Sequence, residues 1–277
     1  MLKKVYIEIT NICNLSCSFC PKTARAPRRL SAEEFRTILH KLRPHTEYVY
    51  LHVMGEPLLH PQLSQMLEAC RQQGMKVCLT TNGTLLEKRR TALLTAPALH
   101  KISVSLHCAE ANPTQVQLQD YLQRVFPVCR DAAANGIICA LRLWNEGGKQ
   151  DRNGEILDFI RANTSLWQPM RNGSVKLGEN LYLDTAEKFE WPDLAAEEQQ
   201  TQFCYGLRDQ AAILSDGTVV PCCLDHEGDI ALGNIFEQSF DEILESDRAR
   251  ALYQGFSCRR PTEELCRRCG YAARFNK

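Results

Sequence analysis

The chain lacks an excess of charge of either sign and lacks any long apolar run. Its 33 basic and 33 acidic residues give a formal net charge of zero over 277 residues, which excludes the basic surface expected of a nucleic-acid-binding protein. No apolar stretch approaches the roughly 18–20 residues that a membrane-spanning helix needs. The first residues, Met-Leu-Lys-Lys-Val-Tyr-Ile, contain no apolar signal segment. We therefore expect a soluble, cytoplasmic protein that binds neither nucleic acid nor membrane.

Cysteine, in contrast, is abundant, with 14 residues. Disulfides are rare in reducing compartments, so this excess without a secretion signal indicates metal or redox chemistry. Several of the cysteines fall within predicted helices or strands and are expected in the core: Cys70, Cys78, Cys108, Cys129 and Cys139.

The first two thirds of the chain alternate strand and helix patterns, which is typical of βα units around a parallel sheet. Ser31 and Glu34 predict a capping box at the start of the first helix, and Thr84 and Glu87 predict another at the third. Pro127 predicts a break in the helix expected over 121–135. Six strands are expected, at 4–9, 48–53, 76–80, 101–106, 137–143 and 175–183.

Three cysteines follow the first strand within eight residues: Cys13, Cys17 and Cys20. A cubane iron–sulfur cluster usually takes four thiolates, one per iron, so a loop with three leaves one iron open to another ligand. Two alternatives remain at this point. The thiols could hold a structural zinc with His40 or His45 as fourth ligand, or they could be unligated core residues.

The three-then-two spacing, with Phe19 before the last cysteine, resembles the radical S-adenosylmethionine (SAM) superfamily. The resemblance implies a 4Fe-4S cluster on Cys13, Cys17 and Cys20, with SAM chelating the open iron. One electron from the cluster would cleave SAM to a 5′-deoxyadenosyl radical, which abstracts hydrogen from a substrate. An electron donor such as flavodoxin or ferredoxin is implied, and Phe19 would lie along the adenine of SAM, with plain apolar packing as its alternative.

The family fold is a partial, open (βα)6 barrel similar to a TIM barrel, and the six βα units match it. Met54-Gly55-Glu56-Pro57, after the second strand, resembles the family's Gly-Gly-Glu-Pro motif with methionine at the first position. A fixed carboxylate at Glu56 would accept a charge-assisted hydrogen bond from the ammonium group of SAM. Gly55 belongs to the same implied SAM site.

The fourth and fifth strands supply further polar side chains. Alternation places Ser103, Ser105 and His107 on one face of the fourth strand. Ser105-Leu106-His107 resembles the Ser-Leu-Asp of several relatives, whose serine contacts SAM, although the histidine departs from that pattern. Arg142 on the fifth strand could meet the carboxylate of SAM or an acidic group of the substrate, or be paired structurally.

The sequence changes character near Trp191, and we place a boundary between a barrel at 1–195 and a second domain at 196–277. This second part predicts a small β-hairpin, a helix over 240–253 and a cysteine-rich end. The order of Cys204, a glycine at 217, Cys222 and the closing Cys-x2-Cys pair resembles the SPASM domain, the family's auxiliary-cluster module. That implies a second 4Fe-4S cluster, with the ligands Cys204, Cys222, Cys266 and Cys269.

Alternatives remain for this second site. Four cysteines ending in Cys-x2-Cys also describe a zinc ribbon. Cys223 and Cys258 are possible substitute ligands, with Cys258 the stronger rival.

The resemblance implies a radical SAM oxidoreductase that acts on an unidentified small-molecule or peptide substrate. The auxiliary cluster would assist the oxidation of that substrate. Asp225, His226 and His107 are candidate bases for the proton that must leave, although Asp225 and His226 are also typical of a turn and a surface.

No leader-recognition module is visible at the N-terminus, which argues weakly against a peptide maturase. A zinc-binding structural or regulatory protein is the alternative of another class. Residues 145–202 are expected to carry substrate specificity.

Overall fold

A computed structural model describes residues 1–148, 152–199 and 203–276. Within these ranges the strands are β1 (Lys4–Ile7), β2 (Tyr48–Tyr50), β3 (Lys76–Thr81), β4 (Leu99–Ser105), β5 (Ile138–Glu146), β6 (Gln168–Pro169), β7 (Val175–Gly178), β8 (Leu181–Glu187), β9 (Gln210–Ile213), β10 (Thr218–Val220) and β11 (Gly233–Asn234). The helices are α1 (Ala32–Leu42), α2 (Leu63–Gln72), α3 (Leu86–Leu94), α4 (Leu118–Ala134), α5 (Asn153–Ala162), α6 (Phe240–Leu244), α7 (Asp247–Ser257) and α8 (Glu264–Arg267). The segment expected to carry specificity includes 149–151 and 200–202, which lie outside the described ranges.

The strands form one open sheet in the order β11-β10-β9-β1-β2-β3-β4-β5-β8-β7-β6. β1, β2, β3, β4, β5 and β8 are successive parallel neighbours, so six parallel strands alternate with helices as the sequence predicts. The antiparallel hairpins at both margins leave the sheet unclosed. The architecture is therefore the expected partial (βα)6 barrel, extended at each edge.

Amphipathic helices cover the outer face of the sheet. In α1, the capping box between Ser31 and Glu34 is present, and the apolar stripe of this helix is fully buried. Burial of one such side chain stabilises the fold by about 1.5–3 kcal/mol. The five cysteines assigned to the core from sequence are all buried.

Three predictions about elements of the barrel are wrong. The sixth parallel strand is not 175–183, because the chain turns at Asn180 (φ 54°) and makes two antiparallel strands, β7 and β8. Helix α3 has no side-chain cap from Thr84, whose hydroxyl instead donates to Asn82 Oδ1 at 2.7 Å. Helix α4 continues through Pro127.

The C-terminal hairpin, β9 and β10, forms as predicted, with Gly217 at φ +91° in its turn. The helix expected over 240–253 is instead two helices, α6 and α7, because Ser246 caps a new helix after α6 ends. β9 pairs in parallel with β1, so the hairpin continues the sheet of the barrel.

A buried carboxylate fastens these parts together at the end of β1. Glu8 accepts two hydrogen bonds from the Arg25 guanidinium, at 2.8 and 2.6 Å, and others from the backbone nitrogens of Met54 and Ser215. A buried charge is tolerated only when it is paired and hydrogen-bonded in this way. Glu8 thus holds the cysteine-containing loop, the end of β2 and the C-terminal hairpin in fixed relation.

Candidate active site

A cavity of about 1770 Å³ is lined by side chains from all six parallel strands and from the loops that follow them. Reactive groups in parallel α/β folds gather at the carboxyl ends of the strands. The three cysteines of the first loop lie on its wall, as do residues of the C-terminal part, Cys223 and Tyr271. Both halves of the chain therefore face one space.

The first cysteine loop is contacted by side-chain amides from two distant loops, one after β3 and one after β4. Asn112 Nδ2 donates to Cys17 Sγ at 3.1 Å, and Asn82 Nδ2 lies 3.9 Å from Cys13 Sγ. Burial raises the pKa of Cys13, Cys17 and Cys20, that of Cys17 to about 11. A bound metal ion offsets this effect of burial by stabilising the thiolate form, which is how cysteine sites bind iron.

Gly55 fixes the loop after β2 against the cysteine loop. It adopts φ +75°, and a Cβ built on it would lie 2.4 Å from the Thr10 carbonyl oxygen and 2.9 Å from the Ile12 carbonyl oxygen. The next residue, Glu56, donates its backbone N–H to that Ile12 oxygen at 2.9 Å. Only glycine permits this close approach of two backbones.

Gly55→Ala is expected to lower the free energy of unfolding by at least about 1–3 kcal/mol, the cost of a non-glycine residue at positive φ. The new Cβ would also overlap backbone atoms that cannot move independently. Denaturant titration measures the effect. The control is Gly154→Ala, in helix α5, where a Cβ meets nothing within 4 Å and alanine should stabilise by up to about 1 kcal/mol. Equal stabilities of the two variants would contradict this account.

Glu56 presents a buried, oriented carboxylate. Its backbone is extended, as Pro57 predicts (φ −120°, ψ 109°). Its oxygens accept from Thr81 Oγ1 at 2.7 Å, Asn82 N at 2.8 Å and Leu58 N at 3.0 Å. Burial nevertheless raises the pKa of Glu56 to about 7, so a cationic ligand beside it would stabilise the ionised form.

The polar face expected on the fourth strand is present. Ser103, Ser105 and His107 all line the cavity. His107, however, lies in a short 3-10 turn after β4 rather than on the strand. Its ring packs 4.7 Å from that of Phe19, and its Nδ1 lies 3.2 Å from the Arg142 carbonyl oxygen. Burial lowers the pKa of His107 to about 4, which makes it a neutral, weak base.

Arg142 projects into the same cavity from β5, and its guanidinium lies 3.5 Å from the centroid of the Trp144 ring. Burial lowers the pKa of Arg142. Among the ion pairs found within the described ranges, none includes Arg142.

The C-terminal cysteines also form a group. Burial is the largest cause of the raised pKa of Cys222, and repulsion from Cys223, Cys204, Cys266 and Cys269 adds to it. Cys258 is exposed at the end of α7. Cys223 lines the cavity and hydrogen-bonds with Tyr6. The structure thus places Cys223 in the same neighbourhood as the four cysteines that the sequence singles out, and it leaves Cys258 at the surface.

The donor sets suit clusters of several irons. In the part of the chain that the structure describes, no three histidine, cysteine, aspartate or glutamate side chains are arranged to hold a single metal ion. In a cubane each thiolate binds a separate iron. The fit of the two cysteine groups to such clusters therefore rests on the number of their thiols and on their donor chemistry.

Asp225 and His226, two of the candidate bases, do not have the positions expected of a base that acts on a substrate in the cavity. Asp225 is buried, and its oxygens accept hydrogen bonds from the backbone nitrogens of Gly228, Asp229 and Ile230 at 2.9–3.0 Å. His226 lies beside Trp191, and its Nδ1 is 3.3 Å from the Leu224 carbonyl oxygen. Neither is among the described residues that line the cavity. The geometry favours the structural role of Asp225 as the anchor of a turn.

Sequence reasoning missed several residues of the cavity wall. Tyr6, Tyr50 and His52 come from β1 and the end of β2, and Trp144 follows Arg142 on β5. The alternation of side chains along β1 and β5 was a usable signal, because inward positions repeat every second residue. Asn112 carried no such signal, because it lies in a loop 95 residues from Cys17.

Comparison with known protein families shows the family to which this chain belongs. Residues 7–160 match the model of the radical SAM superfamily, and residues 204–270 match that of SPASM, an iron–sulfur cluster-binding domain. The chain therefore belongs to the radical SAM superfamily. It is a radical SAM enzyme whose cofactors are SAM, a SAM-binding 4Fe-4S cluster and an auxiliary iron–sulfur cluster.

Individual relatives are more distant. GTP 3′,8-cyclase of Aquifex aeolicus (strain VF5) is 33% identical over 183 residues, covering 61% of this chain and 55% of the relative. PqqA peptide cyclase of Streptomyces rochei is 27% identical over 158 residues, covering 55% and 43%. The chain thus spans about half the length, or less, of the curated relatives it matches.

Solved structures confirm the fold. BtrN in complex with AdoMet and 2-DOIA aligns with a TM-score of 0.62 at 18% identity, covering 97% of this chain and 93% of BtrN. Streptococcus suis SuiB bound to S-adenosylmethionine aligns with a TM-score of 0.67 at 17% identity, covering 100% and 75%. Within the described ranges, no helix is long and apolar enough to cross a membrane.

Proposed function

We propose that the protein oxidises a substrate held in the barrel cavity, with the auxiliary cluster as the electron acceptor. One observation carries the proposal: the cavity wall includes both the Cys13, Cys17 and Cys20 loop and, from the C-terminal part, Cys223 and Tyr271. A substrate in that space would lie between the two cluster sites. Such a position suits removal of a hydrogen atom on one side and of an electron on the other.

The roles of individual residues follow from their positions. Cys13, Cys17 and Cys20 would hold the first cluster, and Cys204, Cys222, Cys266 and Cys269 the second. Glu56 would accept from the ammonium group of SAM, with Gly55, Ser103 and Ser105 on the adjoining wall and Phe19 beside the nucleoside. When bound, these cofactors supply a 5′-deoxyadenosyl radical and, at the auxiliary cluster, a one-electron acceptor.

A proton must also leave the substrate. His107 is the candidate that faces the cavity, where its pKa of about 4 keeps it neutral and able to accept a hydrogen bond. An electron donor such as flavodoxin or ferredoxin would reduce the first cluster.

The domain division at 1–195 and 196–277 is also part of this proposal. The two matched family models end at 160 and begin at 204, which supports a boundary between them. The pairing of β9 with β1 supports a fixed relation of the two parts rather than a loose tether.

Anaerobic reconstitution with iron and sulfide, followed by reduction and incubation with SAM, tests the proposal. We expect 5′-deoxyadenosine, and deuterium in it when a deuterated substrate of the right class is present. Deuterated polyols and deuterated peptides form the two arms. Binding of zinc alone without cluster absorption, or absence of 5′-deoxyadenosine, would overturn the proposal.

Peptide modification is the second candidate. Solved structures with this fold include SuiB bound to precursor peptide SuiA and anSMEcpe with bound AdoMet and Cp18Cys peptide. Deuterium transfer from a peptide but from no polyol would favour this candidate.

Glu56→Gln is expected to weaken SAM binding by about 1.5–3 kcal/mol, the scale of a hydrogen bond to a charged group. The amide keeps the shape of the side chain and removes the charge that would meet the SAM ammonium. Isothermal titration calorimetry of the reconstituted protein measures the change. Glu87→Gln, at an exposed position in α3, is the matched control. An unchanged affinity of the Glu56 variant would remove this residue from the SAM site.

A further inference from the structure

We propose that Arg142, together with His52 and Lys4, forms a binding site for an anionic group of the substrate, a carboxylate or a phosphate. The inference rests on the proposed function and narrows its substrate class. All three side chains line the cavity, and they come from three different strands or strand ends. An anion there would lie between them.

Arg142 is the principal residue of this site. Arg142 is half-buried, and its guanidinium carbon lies 3.5 Å from the centroid of the Trp144 ring, a contact that orients its N–H donors. Planar donors of this kind match the geometry of carboxylate and phosphate. Burial depresses the pKa of Arg142 despite opposing effects from Asp184, Tyr271, Tyr6 and Cys223, so nearby acids do not compensate for the lost hydration.

His52 supplies an available hydrogen-bonding group. Its Nδ1 is buried and has no partner within the described ranges, although most buried polar atoms are hydrogen-bonded. Burial, Arg142 and Lys4 together lower the pKa of His52 to about 3, which places both cations within electrostatic range of the ring. A neutral imidazole there can donate to an anion without adding a third positive charge.

Lys4 completes the group. Its Nζ lies 5.3 Å from the Tyr6 ring centroid and 5.6 Å from that of Tyr50, over the faces of both rings. Aromatic faces hold an ammonium in position without neutralising it. Lys4 is also absent from the ion pairs of the described residues, whereas its neighbour Lys3 is paired with Asp209 at 2.7 Å.

The acidic groups of this wall leave room for an anion. Asp184 lies opposite Arg142 in the register of β5 and β8, and it is the carboxylate that acts on Arg142 through its charge. The two are not an ion pair. Asp184 therefore borders the proposed anion site on one side but does not take the place of the anion.

The site also differs from that expected for the carboxylate of SAM. The groups around Cys13 and Cys17 are Asn82, Asn112 and Glu56, whereas Arg142 has neighbours from the C-terminal part, Cys223 and Tyr271. The carbonyl oxygen of Arg142 also lies 3.2 Å from His107 Nδ1, and the His107 ring packs on Phe19. Arg142 thus lies between the proposed SAM site and the second cysteine group, where a substrate would lie.

The test is calorimetric titration of the reconstituted protein, saturated with SAM, with inorganic phosphate in one arm and acetate in the other. We expect at least one anion to bind, and the stronger arm assigns the substrate group. Arg142→Gln should weaken that binding about tenfold or more, which corresponds to loss of a charge-assisted hydrogen bond. Arg142→Lys should retain part of it and provides a second variant if the glutamine protein does not fold.

The control is Arg161→Gln, since Arg161 also stacks on a tryptophan, Trp167 at 4.7 Å, but at an exposed position near Asp158. It should bind the anion within about twofold of the unaltered protein, well inside the tenfold threshold. Failure of both anions to bind, equal binding by the Arg142 and Arg161 variants, or competition between the anion and SAM would overturn the inference. Formation of 5′-deoxyadenosine is measured separately, so its loss would count against the proposed function and not against this site.

Discussion

Replacing Cys17 with alanine is expected to reduce 5′-deoxyadenosine formation to background. Three thiolates in one loop leave one iron for SAM, and two cannot hold the cubane in that arrangement. Cys17 is the thiol that receives the shortest side-chain hydrogen bond of the loop, from Asn112 Nδ2 at 3.1 Å. Reductive cleavage of SAM is measured by chromatography after anaerobic reconstitution, together with the iron content of the protein.

The matched control for this variant is Cys258→Ala. Cys258 is exposed at the end of α7 and lies outside both cysteine groups, so its removal should leave cleavage unaltered. A Cys17 variant that still cleaves SAM would contradict the assignment of this loop as the cluster site.

Local sequence predicted most of the parallel sheet, because each strand-and-helix unit is specified by its own apolar pattern and turn residues. The capping box at Ser31 and Glu34 formed because both partners are within one turn. The sixth strand was misplaced because the stretch from 175 to 183 contains Asn180, which adopts a left-handed conformation that an asparagine tolerates. Periodicity alone does not separate one long strand from two short ones.

The cysteine loop was predictable for the same reason, since its three thiols are close in sequence. The surroundings of these thiols were not, because they depend on contacts between distant segments. Asn82 reaches the loop from the end of β3, and Arg25 reaches Glu8 across the loop itself. Asp225 was interpreted from sequence as a candidate base. In the structure its carboxylate instead accepts hydrogen bonds from three backbone N–H groups of its own turn.

The second cysteine group was predicted from spacing as Cys204, Cys222, Cys266 and Cys269, with Cys258 and Cys223 left as possible substitute ligands. The fold separates Cys258 from Cys266: α7 ends at the surface with Cys258, while the following α8 carries Cys266 back toward Cys204 and Cys269. Which side a short helix faces is set by tertiary packing, here by the buried Leu265.

Replacing Cys266 with alanine is therefore expected to stop substrate turnover while 5′-deoxyadenosine is still formed. The auxiliary cluster would lose one of four thiolates, and with it the acceptor for the substrate electron. The SAM-binding loop follows β1 and is separate from the second cysteine group, so it should keep its cluster. Iron content should fall to about half, since one of two clusters of equal size is lost.

The readouts for the Cys266 variant are iron analysis, 5′-deoxyadenosine and product, each measured against the Cys258→Ala control, which should match the unaltered protein in all three. Full turnover by the Cys266 variant would contradict the electron-acceptor role of the second cluster. Loss of SAM cleavage together with turnover would instead mean that the two sites do not act separately. That result would fit the physical connection between them, because Glu8 joins the end of β1 to Ser215 of the C-terminal hairpin.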